Sequence, residues 1–362
     1  MKHLSFIFPG QGAQYVGMGQ SLYSQEKLAQ QTFEEADDLL GLPLTRLCLE
    51  GPETELARTE ITQPAILTTS VAMLRVLKSK GFDSTMTAGL SLGEYTALVH
   101  SGSLSFADAL LLVQRRGKFM QEAVPADRGG MAAILGLAPD ALEDCLHIGR
   151  MAGFVSVANY NCPGQIVLSG ETEAVKRSME ACKLAGAKKA VMLTVSAPFH
   201  TPMLDSAGEQ LRNALSATSL AVPNQAFFSN VTGQLMTDPT EIGQALVKQV
   251  SHSVLWEKCL ISMMQAGCRT FVEIGPSNSL TGFVKRTSKT HRLPAVGMHI
   301  ETLEQLHQVV ETLTKEDFHG INQQSRPDYR SIKGHRPGHC PEDGSVWRTD
   351  RDQLCPSREL GA

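Results

Sequence analysis

Thr85-Met86-Thr87-Ala88-Gly89-Leu90-Ser91-Leu92-Gly93-Glu94-Tyr95-Thr96-Ala97-Leu98-Val99 sets a short strand pattern, a GxSxG turn and a helical pattern in direct succession. GxSxG alone is a common string. Between a strand and a helix it predicts a nucleophile elbow, a sharp turn that exposes the serine hydroxyl. Gly89 and Gly93 suit such a turn, where neighbouring backbones crowd. The helix N-terminus behind Ser91 favours developing negative charge, and the Leu92 amide is one candidate oxyanion donor. A Gly/Ser turn without chemistry would read the same, so the rest of the chain must decide.

Outward from the elbow, the chain alternates short apolar runs with helical patterns from about Lys2 to about Leu313. Strands are predicted at Leu4–Phe8, Met86–Gly89, Phe227–Ser229, Thr270–Ile274 and Ala295–Met298. Helices are predicted at Pro64–Lys80, with Pro64 in the first turn, and at Ser105–Ala123, with Ser105 as cap and Asp108 three residues on. Alternation of this kind predicts an α/β sheet covered by helices on both faces. The middle segment differs. Gly130–Gly136, Phe154–Asn159, Gln165–Ser169 and Lys189–Val195 read as strands, with helices at Pro139–Ile148 and Glu171–Ala185. The order βαββαβ is the ferredoxin-like pattern, and residues 125–196 read as a small insert in the larger body.

Composition bounds the function. The 362 residues are 42% hydrophobic and 19% charged with formal net charge -4, which argues against a uniformly basic nucleic-acid binder. No apolar run approaches the roughly 20 residues of a membrane-spanning helix. The N-terminus reads as an opening strand and not as a signal peptide. The 8 scattered cysteines contain no CxxC pair, which fits reduced thiols in a cytoplasmic protein. From Thr314 onward no period of 2 or 3.6 survives, and residues 314–362 read as a disordered tail. His335, His339, Cys340 and Cys355 match no zinc spacing, so no metal is expected.

A serine nucleophile needs a base. Among 11 histidines, His200 stands out, held between Pro198 and Pro202 directly after the insert's last strand. A histidine capping the next helix would look the same. The helix at Ser105–Ala123 gives a sharper signal. Ala109, Leu112, Val113, Arg116, Gly117 and Met120 share one face, so Arg116 points with the apolar stripe while Arg115 falls off it. A buried guanidinium needs a partner. A small carboxylate substrate and an internal Asp or Glu both qualify, and Gly117 leaves room for something to approach.

Taken together, these residues resemble the malonyl-CoA:acyl carrier protein transacylases, the malonyl-loading acyltransferases of fatty-acid synthesis. The resemblance covers about residues 4–312. It rests on Phe8-Pro9-Gly10-Gln11-Gly12-Ala13-Gln14, Gly89-Leu90-Ser91-Leu92-Gly93-Glu94-Tyr95, Arg116-Gly117-Lys118-Phe119-Met120-Gln121, Asn161-Cys162-Pro163-Gly164-Gln165, His200, Gln249, Trp256 and Glu273-Ile274-Gly275-Pro276, in the family's order. It implies an α/β-hydrolase-like body from residues 1–124 and 197–313 around the ferredoxin-like insert. It also implies roles: Ser91 as nucleophile, His200 as base, the Gln11 and Leu92 amides as oxyanion hole, Arg116 as clamp for the malonyl carboxylate. Gln249 resembles the residue whose backbone carbonyl orients the histidine in place of the usual Asp. The implied partners are malonyl-CoA and the phosphopantetheinylated acyl carrier protein, with no further cofactor, and the expected state is a monomer.

One departure is Leu90, where many relatives have His; it bears on pocket shape and acyl preference, not on the base. Phe199 before His200, together with Leu92 after Ser91, resembles malonyl-preferring versions over methylmalonyl ones. The rivals are a free-standing acyltransferase of a polyketide synthase, an α/β-hydrolase esterase or thioesterase, and a catalytically silent carrier-binding protein. A hydrolase would place its acid before the histidine in chain order, and no Asp stands out there.

Overall fold

Among the described residues ten strands carry the architecture: β1 (Leu4–Phe8), β2 (Met86–Gly89), β3 (Gly129–Leu135), β4 (Val155–Cys162), β5 (Gln165–Glu171), β6 (Lys189–Met192), β7 (Ala226–Ser229), β8 (Gln234–Met236), β9 (Thr270–Ile274) and β10 (Val296–Ile300). They belong to a computed structural model that describes residues 3–125, 128–195 and 197–324, with side chains to residue 315. The chain divides into a unit Met1–Asp317 and a second unit, Phe318–Ala362.

The first unit holds both sheets. The larger runs β10-β9-β1-β2-β7-β8, parallel except for β8, which returns antiparallel along β7. Leu4-Ser5-Phe6-Ile7-Phe8 is buried throughout, as a central parallel strand covered on both faces should be. Phe8 pairs with Gly89, so the chain leaves two adjacent strands at one level, and the loops after β1 and β2 meet. That carboxyl edge is where open parallel sheets bind ligands.

The smaller sheet runs β4-β5-β3-β6, antiparallel at every pairing, with the helices Leu142–Arg150 and Thr172–Leu184 as its two crossovers. This is the ferredoxin-like order. Ala132, Ile134, Leu146, Val157, Leu168 and Val175 form its own core. It is joined to the body by a parallel bridge at Asn159 and Val254, where the Tyr160 N–H donates to the Val254 carbonyl at 2.9 Å.

Three expectations are corrected. The helix predicted from Pro64 begins at Thr59 and runs to Ser79, so Pro64 lies in its interior. The polar Thr59-Glu60-Ile61-Thr62-Gln63 hides a first turn that is held by tertiary packing: Thr59, Thr62 and Gln63 are all buried. Gly117 does not leave room for a ligand. A Cβ there would stand 2.6 Å from the Thr59 carbonyl oxygen, so the glycine lets the two helices cross closely. The last helix runs from Leu303 to Gln324, past the boundary expected at residue 313. The Thr314 hydroxyl bonds the Val310 carbonyl at 2.7 Å and Lys315 pairs with Glu311, which continue the turn. The rest of the expected tail, residues 325–362, lies outside the described residues. Among the described residues no helix is long and apolar enough to cross a membrane.

Candidate active site

The elbow forms as the sequence requires. Ser91 sits in the left-handed region at φ 51°, between β2 and the helix Gly93–His100. A Cβ on Gly89 would fall 1.9 Å from the Gly93 carbonyl carbon, and one on Gly93 would fall 2.2 Å from the Phe8 carbonyl oxygen. Both positions therefore admit only glycine. The strained serine is pinned by Asn230, which follows β7. The Asn230 Oδ1 accepts from the Ser91 N–H at 2.6 Å, and its Nδ2 donates to the Gly89 carbonyl at 2.8 Å.

His200 reaches the elbow from the loop that closes the insert, itself at φ 62°. The Ser91 hydroxyl lies 2.8 Å from His200 Nε2. His200 Nδ1 lies 2.7 Å from the Gln249 backbone carbonyl. A carbonyl only accepts, so Nδ1 carries the proton and Nε2 is left free to take one from serine. The Gln249 carbonyl thus does what a triad carboxylate does elsewhere, fixing the tautomer and the ring. Burial, and then the nearby Arg116 charge, lower the His200 pKa to about 4.

Arg116 is buried in the helix Phe106–Glu122, which Ser105 caps by accepting from the Asp108 N–H. Its Nη1 donates to Gln63 Oε1 at 2.8 Å. Its Nη2 donates to Gln249 Oε1 at 2.9 Å and to the Ser91 hydroxyl at 3.1 Å. Nε has no acceptor. No carboxylate stands within ion-pair distance of the guanidinium among the described residues, so the internal salt bridge is absent. Burial depresses its pKa, while Tyr95 and Glu94 oppose the shift. Tyr95 and Glu94 offset part of the cost of burying this cation, and an anion entering beside it would offset more.

Ser91, Arg116 and His200 open on one cavity of about 680 Å³. Gln11, Leu90, Phe199, Asn161 and Gln165 line it too. Among the described residues neither the Gln11 nor the Leu92 backbone N–H donates to a backbone carbonyl. Two motif residues lie away from the cavity lining. Trp256 is buried at the start of its helix, and Glu273 accepts from the Leu280 and Thr281 N–H groups at the head of the helix Ser279–His291. Gln63, Asn230 and the buried Glu94 were not foreseen as parts of this network.

The model of the acyl transferase domain matches residues 5–323. The chain belongs to the acyl transferase family. A malonyl CoA-acyl carrier protein transacylase of Bacillus subtilis is 42% identical over 318 residues, covering 88% of this chain and 99% of that one. The Escherichia coli K12 protein of the same name is 42% identical over 291 residues, 80% of this chain and 94% of its own. Among solved structures, the Clostridium perfringens transacylase superposes with a TM-score of 0.84 at 41% identity, over 88% of this chain and all (100%) of that one. A malonyl-transacylase in complex with a holo type II PKS acyl-carrier protein gives a TM-score of 0.82 at 38% identity, over 86% of this chain and 99% of its own. These likenesses span both sheets, so the acyl transferase fold is shared from β1 to the last helix.

The depressed His200 pKa sets a pH dependence. Imidazolium cannot accept the Ser91 proton, so the acylation rate should fall as pH drops through about 4 and stay flat from there to neutrality. Initial rates of Ser91 acylation across that range check this. An acid limb at the ordinary histidine value of about 6.5 would show that the ring is not desolvated in the working enzyme.

Proposed function

We propose that this acyl transferase moves the malonyl group from malonyl-CoA to the phosphopantetheine thiol of an acyl carrier protein, through a malonyl ester on Ser91. The observation that carries the reading is Arg116: a buried cation, without an anion of its own, donating to the nucleophile's oxygen. An acyl group attacked at Ser91 and bearing a free carboxylate presents that carboxylate to the guanidinium. Transacylases that share 42% identity over 88% and 80% of this chain carry the same activity in their names, which supports the substrate.

The steps follow from the geometry. The Ser91 oxygen attacks the thioester carbonyl as its proton passes to His200 Nε2. The Gln11 and Leu92 amides hold the oxyanion. The C–S bond breaks, and the imidazolium returns its proton to the CoA sulfur. In the second half His200 takes the proton of the carrier's thiol, the sulfur attacks the malonyl ester, and Ser91 leaves with the proton. The six described cysteines are all free and buried, which supports a cytoplasmic setting. The polyketide carrier in one structural relative favours a second pathway for the same reaction, differing only in its acceptor.

Discharge of the intermediate tests the class. Purified protein loaded with malonyl-CoA should show one malonyl increment by intact mass. Adding holo carrier protein should clear it far faster than buffer does, and fatty-acid and polyketide carriers can be compared directly. Clearance by water alone at the same rate would make the protein a hydrolase.

A further inference from the structure

Glu94 has no part in those steps, yet it lies at their centre. It is the second residue of the helix Gly93–His100 and fully buried. One carboxyl oxygen accepts from the Asn230 N–H and the other from Gln249 Nε2. The two amide residues it touches are those that support the elbow. Asn230 grips Ser91 and Gly89. Gln249 Nε2 donates to the Ser91 carbonyl at 3.0 Å, its Oε1 accepts from Arg116, and its backbone carbonyl holds His200.

A side-chain amide has two unlike ends, and its surroundings choose which way it faces. The nitrogen end of Gln249 meets two acceptors, Glu94 Oε2 and the Ser91 carbonyl. The oxygen end is thereby turned to Arg116, which can only donate. We infer that Glu94 is a positioning residue: by accepting from Gln249 it sets that amide's orientation and so aims the Arg116 guanidinium at the substrate's carboxylate. The inference rests on the malonyl reading above.

Glu94→Gln separates this role from mere space-filling. The new amide fits the same volume but must turn its NH₂ to one of two donors. The Asn230 backbone N–H cannot rotate away, so the NH₂ meets Gln249. Relief comes only if the Gln249 amide flips, and that sets its own NH₂ against Arg116 and its oxygen against the Ser91 carbonyl. A guanidinium displaced this way loses the carboxylate contact first.

The test measures single-turnover loading of Ser91 from malonyl-CoA and from acetyl-CoA by intact mass. Wild-type loading is the control, and its absence would overturn the malonyl reading itself. Given a loading wild type, Glu94→Gln should lower the malonyl-over-acetyl preference on the order of tenfold or more. Gln249→Met, which deletes the amide but keeps the backbone carbonyl on His200, should lower it by a similar factor, and the double variant should lose no more. Equal losses for both acyl groups, or an unchanged preference, would overturn the inference. Should Glu94→Gln fail to fold, Gln249→Met alone decides: an unchanged preference there removes the lever through which Glu94 is said to act.

Discussion

Replacing Ser91 with alanine should abolish the malonyl adduct and lower transfer by roughly 10⁶-fold, the scale seen when a catalytic serine is lost. The size follows from what the hydroxyl does in this site. It is 2.8 Å from the base and 3.1 Å from the Arg116 donor, so proton removal and charge stabilisation converge on one atom. Without it both half-reactions lose their covalent relay, and the two thiols would have to exchange the acyl group directly. The fold should survive. Alanine tolerates the left-handed backbone at φ 51° no worse than serine does, and the Asn230 grip is on the backbone N–H. Intact mass after incubation with malonyl-CoA, alongside thermal unfolding, checks both halves. An adduct that persists in Ser91→Ala would place the nucleophile elsewhere.

Much of this site is legible in the sequence, for physical reasons that differ by residue. The elbow can be read because strand, glycine-flanked serine and helix are contiguous, and steric crowding at Gly89 and Gly93 is local. The strands at Leu4–Phe8, Met86–Gly89 and Thr270–Ile274 can be read because buried parallel strands are short apolar runs. Arg116 can be read because a charge on an apolar helical stripe is costly enough to need a cause. Glu94 carries the same kind of signal, an acid in a helix otherwise buried nearly all round, and that reasoning could have found it. Pairing His200 with the Gln249 carbonyl could not be read, because a backbone carbonyl belongs to every residue. Only the family resemblance pointed there. Gln63 and Asn230 are uncharged amides whose importance arises from contacts 53 and 139 residues away in the chain. The Pro64 helix misled for a related reason: its first turn is set by packing against Gly117, and a local pattern does not contain that contact.

Replacing Arg116 with alanine should cost malonyl loading about 2–5 kcal/mol, roughly 30-fold to several thousand-fold, while acetyl loading falls far less or rises. The asymmetry is the point. In the free enzyme the guanidinium is desolvated and bonded only to neutral oxygens of Gln63, Gln249 and Ser91. Acetyl brings no anion, so with it the buried cation gains nothing beyond its contacts with Tyr95 and the neutral oxygens, and removing it costs acetyl loading little. Malonyl supplies the missing charge, and the Nε–H, which lacks an acceptor, gives it a further donor. On the proposed reading, selectivity comes from a buried charge that a carboxylated acyl group offsets further and acetyl does not. His200 sharpens the contrast, because the Arg116 charge helps depress its pKa. Loss of that charge should move the acid limb of acetyl loading upward from about 4, toward the ordinary histidine value. Rates with both acyl-CoAs as a function of pH measure the two effects in one series. Equal losses for malonyl and acetyl would mean that Arg116 serves the nucleophile alone, and the carboxylate would then need another partner in the cavity.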